Sequence, residues 1–330
     1  MQIDSREDTI SSIASHYKVL PDKVRRQYKE HNSGFRKWTQ REHSEDYMLF
    51  PENLGEFLSI DEVSLSQGEL YTFITNKNGR GKKGSLVASI KGTRAKDIIE
   101  VLEMMSLESR KNVNEVTLDM AKNMESAVLK ALPRAELVTD RFHVVKLVLD
   151  SLQHLRVKYR WEELEKENAV IKTYRAKKAK KKYKPVLLKN GDTPKQLLAR
   201  CRHILSKKKS DWTESQNSRA KLLFERYPLL EKGYNHVIEF RSIYEHKTKA
   251  SARNLLLNWI DKADNLGIDE FNTCSNTILY NLENILNFFN HRNTNANAES
   301  FNSKIKLFRA NLRGVTDTSF FLFRLNKLFA

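Results

Sequence analysis

Three acidic residues stand where a purely structural role would be awkward. Asp61 lies inside an apolar strand pattern, Phe57-Leu58-Ser59-Ile60-Asp61-Glu62-Val63-Ser64-Leu65. Asp119 closes a second one, Val113-Asn114-Glu115-Val116-Thr117-Leu118-Asp119. Glu299 opens a helical pattern far downstream, in Asn295-Ala296-Asn297-Ala298-Glu299-Ser300-Phe301-Asn302. A carboxylate in a buried strand costs several kcal/mol unless it is paired or binds a cation. Three that converge make an oxygen-rich site for Mg²⁺ or Mn²⁺, and two such ions can work on a phosphodiester. The charge balance points to that substrate. Lys plus Arg number 58 against 41 Asp plus Glu, a formal net charge of +17, and a globular chain this basic is expected to meet a nucleic acid.

The elements that would position the acids follow from hydrophobic period. Residues 57–65, 70–75 and 85–90 read as a three-strand meander. A glycine-rich basic hairpin loop, Asn76-Lys77-Asn78-Gly79-Arg80-Gly81-Lys82-Lys83-Gly84, joins the last two strands. A helix over 94–105, a strand over 113–119, a helix over 121–132 and a strand over 135–140 follow. A meander followed by βαβ units gives an α/β fold with a mixed five-stranded sheet covered by helices. In the ribonuclease H-like order the first and fourth strands are neighbours, so Asp61 and Asp119 would meet. After Asp140 the pattern is helical: a long helix from Val144 onward, then helices over 193–207, 212–226, 229–245, 249–264 and 275–290. Residues 141–290 therefore read as an all-helical insertion between residues 55–140 and 291–330 of the sheet domain. Residues 1–54 read as short helices. Those over 9–17 and 22–30, with Pro21 at the start of the second, suggest a helix-turn-helix or an arm that packs on the sheet domain.

On the Glu299 helix, positions 299, 302 and 306 share one face, while Phe301, Ile305 and Phe308 form an apolar stripe for the sheet. Each acid also has a plainer reading. Asp61 becomes an edge charge if the strand register shifts by one. Asp119 becomes an N-cap for the helix that follows. Glu299 becomes a solvated helix acid. Asp140 is a rival second ligand. With His143 it is otherwise expected beside the site, where the imidazole would orient a carboxylate, meet a phosphate or simply pack. Basic residues at Arg25 and Arg26, in the run Lys177, Lys178, Lys180, Lys181 and Lys182, and at Lys304, Lys306, Arg309 and Arg313 are candidates for phosphate contact. The apolar finish, residues 320–329, reads as core. Cys201 and Cys274 are too few for a four-cysteine zinc site and suit a reducing, cytoplasmic setting. There is no apolar run of membrane-spanning length, and the first 30 residues carry no signal-peptide pattern.

At these residues the chain resembles the DDE transposases of bacterial insertion sequences, in particular the ISL-three group. The likeness rests on Ser59-Ile60-Asp61-Glu62, on Thr117-Leu118-Asp119-Met120, on Thr139-Asp140-Arg141-Phe142-His143-Val144-Val145-Lys146 and on Glu299-Ser300-Phe301-Asn302-Ser303-Lys304-Ile305-Lys306. It implies a ribonuclease H-like domain interrupted before the last acid, with Asp61, Asp119 and Glu299 binding two Mg²⁺ or Mn²⁺ ions. It also implies cleavage at the element's ends and joining to target DNA, by a homodimer or a larger assembly on DNA. In related cut-and-paste enzymes a Cys-x-x-His pair follows the second acid by about twenty residues; here Asp140-x-x-His143 stands there. Relatives often begin with a cysteine-rich zinc module, whose absence here reads as an N-terminus that is shortened or encoded elsewhere. Two other readings stay open at this point: a ribonuclease H-like nuclease or resolvase, and a truncated or domesticated DNA-binding protein without catalysis.

Overall fold

The computed structural model describes residues 10–66, 68–176, 183–292, 296–312 and 315–330, except for the side chains of residues 66 and 296–300. The chain divides into two compact units. One comprises residues up to Arg141 together with His291–Ala330; the other is Phe142–Asn290.

The first unit is built on a six-stranded sheet in the order β1-β4-β3-β2-β5-β6. The strands are β1 Tyr47–Leu49, β2 Phe57–Ser66, β3 Glu69–Asn76, β4 Leu86–Lys91, β5 Glu115–Leu118 and β6 Glu136–Thr139. The meander β2–β3–β4 is antiparallel, and β5 and β6 run parallel to β2. This is the α/β, ribonuclease H-like class that the sequence leads one to expect, with one strand more. Residues 47–49 fall in a stretch expected to be helical; instead they pair with β4 at the sheet edge. A three-residue run has too few turns of either period to declare itself, and burial of Met48 decides the outcome.

Strand alternation divides the core in two. One face presents Leu58, Ile60, Ile74, Ile90 and Val116 to the helices α3 Ala95–Glu103 and, after the short α4 Leu107–Lys111, α5 Lys122–Ala131. The other presents Val63, Leu65, Tyr71 and Phe73. There the last two helices of the chain dock through Phe301, Ile305, Phe308, Phe321 and Leu325. Asp61 alternates with Ile60, so it belongs to this second face. The N-terminal helices α1 Ile10–His16 and α2 Pro21–Gln27 are joined by a turn in which Lys18 has φ +53. Ile10, Ile13 and Tyr28 pack on Phe320, whereas α2 buries no residue of its own.

The second unit is helical. α6 Arg141–Ala176, whose first residue belongs to the sheet unit, buries residues only from Val144 to Arg156. It is followed by α7 Pro194–Arg200, α8 Glu214–Arg226, α9 Pro228–Ile243, α10 Lys249–Asp264, α11 Asp269–Tyr280, α12 Leu282–Leu286 and α13 Phe288–His291. Where one helix over 275–290 was expected, the chain is helical from Asp269 and breaks at Asn281 and Asn287. Asn281 Nδ2 bonds locally, donating to the Thr277 carbonyl, whereas Asn287 Oδ1 accepts from Lys249 Nζ on α10. Cys201 and Cys274 are free and buried, and burial pushes both thiols up to about 12, which makes them inert. At the centre His236 stacks on Trp259, 4.1 Å between ring centroids, and the Trp259 indole donates to the His236 carbonyl at 2.9 Å. The His236 Nε2 has no hydrogen-bond partner among the described residues.

Burial lowers the His236 pKa from 6.5 to about 4, with Glu239 raising it and Lys262 lowering it further. The folded imidazole is neutral, so between these two values the unfolded chain binds the extra proton. The stabilisation is whole above pH 6.5 and is lost as pH falls toward 4, up to about 3 kcal/mol. Urea unfolding of the full chain, followed by fluorescence of Trp161, Trp212 and Trp259, is expected to show this loss. His236→Phe keeps the stack and is expected to flatten it.

Candidate active site

Asp61 and Asp119 lie just past the end of the β2–β5 ladder. The parallel β2–β5 ladder pairs Phe57 with Glu115, Leu58 with Val116 and Ser59 with Thr117, and there it stops. β2 continues to Ser66 paired only with β3. Counting two residues onward on both strands brings Asp61 level with Asp119, just beyond the end of β5 at Leu118. The register thus sets two acids level with each other where β5 ends. β6 stays attached: the Asp140 N–H donates to the Leu118 carbonyl at 2.8 Å.

The Asp61 carboxylate is held on both sides. Its Oδ1 accepts the Glu62 N–H at 2.7 Å, and its Oδ2 accepts from Asn302 Nδ2. Asn302 is buried on α14 Ala296–Asn311, the helix whose Phe301, Ile305 and Phe308 anchor it to the sheet. Asp119 turns one oxygen to its own chain: Oδ1 accepts the Ala121 N–H at 2.8 Å, an Asx turn ahead of α5. Glu62 joins the pair electrostatically. Its pKa is raised from 4.5 by burial, then by Asp119 and then by Asp61. Asp119 and Asp61 therefore stand close enough to Glu62 to oppose its ionisation.

One pleat below, on the face of Asp61, lies a buried cation. Lys77 Nζ sits 2.8 Å from Glu115 Oε1 and also donates to Thr117 Oγ1. The Lys77 side chain is 6% exposed and that of Glu115 1%. Burial lowers the Lys77 pKa, while Glu115 and then Asp140 raise it. Asp140 itself is buried at the end of β6. His143 is the third residue of α6, in the helical unit, with its ring edge-on to Phe142 at 5.5 Å. Glu299 lies on α14 one turn before Asn302; its side chain is outside the described residues. Among the described residues no three His, Cys, Asp or Glu side chains gather to hold a metal.

The basic candidates divide. Arg25, Arg26 and Lys306 are exposed. Lys304 Nζ donates to the Gly81 carbonyl at 2.7 Å and Arg309 to the Ser64 carbonyl. Lys177, Lys178, Lys180, Lys181, Lys182 and Arg313 lie outside the described residues. A cleft of about 520 Å³ between the N-terminal helices and the C-terminal helix α15 Thr318–Phe329 is lined by Arg25, Arg26, Lys29, Phe308, Phe320 and Arg324; no residue of the acid cluster lines it.

Two parts of this site were within reach of the sequence but not drawn from it. Glu115 is an acid in an apolar strand, the same signal that marks Asp61, and it required a cation. Asn302 was visible only as a position on the Glu299 face, because an amide announces no partner.

A sheet ordered in this way, with an acid in its first long strand and another at the end of the neighbouring parallel strand, defines a ribonuclease H-like domain. The chain belongs to the ISL-three family of DDE transposases. The family profile, described simply as transposase, matches residues 58–325, and so takes in the helical unit as well as both parts of the sheet unit. It is also similar to the transposase for insertion sequence element IS1001 of Bordetella parapertussis, 24% identical over 277 residues, which are 83% of this chain and 61% of that protein. The chain thus spans under two thirds of the length of that curated relative.

Two measurements check the electrostatics. Lys77→Met strands the Glu115 carboxylate and is expected to cost about 3–5 kcal/mol in urea unfolding, most of it regained in Lys77→Met/Glu115→Met. Glu62→Gln removes a charge whose folded pKa is raised. The folded form therefore resists ionisation, and the penalty is present only above pH 4.5. In divalent-free buffer the variant is expected to be more stable than wild type at pH 7 and no different well below pH 4.5.

Proposed function

We propose that the chain is a DNA transposase that cleaves at the ends of an insertion sequence and joins the freed 3′-hydroxyls to target DNA. The observation that carries this is the Asp61–Asp119 pair at the open end of the β2–β5 ladder, crossed by the helix that bears Glu299 and Asn302. Family membership supports it.

Asp61, Asp119 and Glu299 are the residues to hold two Mg²⁺ or Mn²⁺ ions, with Asp140 as the alternative second acid. The donors fit such ions: carboxylate oxygens suit hard divalent cations, and a dication would relieve the opposition that Asp119 and Asp61 place on Glu62. Bound there, the ions would activate the attacking oxygen and stabilise the leaving one. Asn302 fixes the Asp61 carboxylate in one orientation, which places its remaining lone pairs. Asp119 is fixed in the same way by the Ala121 N–H.

The partner is DNA, both element ends and target. Arg25 and Arg26 on the exposed face of α2 and Lys306 on α14 are free of ion pairs among the described residues and are available to its phosphates. We further propose that the enzyme acts in the bacterial cytoplasm, on the nucleoid, and works as a homodimer or larger assembly when two ends are paired. Among the described residues no helix is long and apolar enough to cross a membrane.

The test uses the full chain with DNA containing the gene and its flanks, in Mg²⁺ and in Mn²⁺. Asp61→Asn is expected to lower cleavage more than about 100-fold with DNA binding retained, since even outer partners of metal ligands cost about 10–100-fold. Asn302→Ala is expected in that lower range, with a raised metal requirement. Unchanged cleavage by Asp61→Asn rejects the site. Cleavage without joining of pre-cut ends replaces transposition with nuclease or resolvase activity.

A further inference from the structure

The glycine-rich loop between β3 and β4 is not used by the chemistry above, yet it is built rigidly into the same face. Its root is Lys77, buried on Glu115 and Thr117. Asn76 Oδ1 accepts the Asn78 N–H at 3.0 Å, and Asn76 Nδ2 donates to the Asn53 carbonyl at 3.0 Å. At the closing side, the Ser85 N–H donates to the Phe329 carbonyl at 2.9 Å. Near its tip, Lys304 Nζ grips the Gly81 carbonyl. Arg80 is held at φ +52, a conformation that a non-glycine residue adopts only when its surroundings impose it.

What this scaffold displays is charge. Arg80, Lys82 and Lys83 are exposed, and none forms an ion pair among the described residues. An exposed lysine on a floppy loop is ordinarily just solvated. Here the backbone beneath the three cations is fixed at four points, so little entropy remains to be lost when they meet a fixed array of anions. The loop also has a short path to the acids. Its root, Lys77, is bonded to Thr117, two residues before Asp119 on the strand that pairs with the strand of Asp61. A strand of phosphates on this loop would therefore run beside the candidate site.

We infer that the Arg80, Lys82 and Lys83 tip of this loop is a contact for the sugar-phosphate backbone of DNA, independent of base sequence. The inference rests on the reading of the chain as a DNA enzyme and names a binding surface for it.

The experiment is fluorescence anisotropy of the full chain with a labelled DNA duplex of arbitrary sequence, across a salt series. Arg80→Gln/Lys82→Gln/Lys83→Gln is expected to weaken binding about ten-fold or more at moderate salt and to lower the slope of log affinity against log salt by about three, one per contact. Lys82→Arg/Lys83→Arg is expected to bind as wild type. Circular dichroism and the thermal midpoint establish that the triple variant is folded; the single variant Lys82→Gln, expected to lower the slope by about one, serves should it not be. Unchanged affinity and slope in the folded triple variant overturn the inference while leaving the metal site standing. Loss of binding to an RNA duplex but not to DNA also overturns it. Failure of wild type to bind any duplex overturns the proposed function itself.

Discussion

The amide of Asn302 on the carboxylate of Asp61 is the contact on which the rest of the arrangement depends. A half-buried carboxylate in the middle of a strand must be met by donors, and the strand itself supplies the Glu62 N–H. The second comes from a helix 241 positions later in the chain. That helix reaches the strand because its other face is apolar: Phe301, Ile305 and Phe308 are buried against Val63, Leu65 and Phe73. Packing energy and polar satisfaction thus reinforce each other. The fold binds the helix through its aromatic stripe, and the stripe fixes where the polar face falls.

The same face carries a charge imbalance that packing alone would not tolerate. Glu115 is buried there with Lys77, Asp140 is buried at the end of β6, and Asp61 and Asp119 stand further along, with Glu62 beside them. A buried ion pair seldom adds net stability over an apolar replacement. Its presence here is better understood by what it neutralises: a lone buried carboxylate one pleat from the acid pair would add to the repulsion already visible at Glu62. Lys77 absorbs Glu115 and partly offsets Asp140, which leaves the upper acids as the excess negative charge at the open end of the ladder.

How much of this was legible in the sequence depends on whether the determinant was periodic or paired. The succession of strands and helices and the helix Lys249–Asp264 came from long, regular hydrophobic patterns, and the order of the strands in the sheet from the likeness of that succession to the ribonuclease H fold. Strand β1 was too short for its period to show. The helix break at Asn281 and Asn287 goes with one side chain bonded locally and one bonded to Lys249 on another helix, and composition reveals neither. Within the site, the positions of Asp61 and Asp119 could be read because burial makes acids conspicuous. The Asx turn of Asp119 was legible as one of its two readings, and the structure realises that contact through one oxygen. Asn302 and Lys77 act through partners 241 and 38 positions away, and a single sequence carries no record of such pairs.

The loop rooted at Lys77 shows how sterics can fix what charge then uses. A Cβ on Gly79 would lie 2.4 Å from Ser85 Oγ and 2.8 Å from Ser85 Cα, and one on Gly55 would lie 2.6 Å from Asn76 Nδ2. Contacts that short cannot be relieved by a side-chain rotation alone where backbone is involved, so the closure of the hairpin demands glycine at position 79. The two strands can then come together close enough for the Asn76 N–H to donate to the Ser85 carbonyl at 2.8 Å. With the neck closed, the Lys77 ammonium sits on the sheet face, bonded to Glu115 and Thr117. The glycines are therefore part of the electrostatics: they convert a basic hairpin, which in isolation would direct all its charge to solvent, into one that buries its first cation among acids and displays the others.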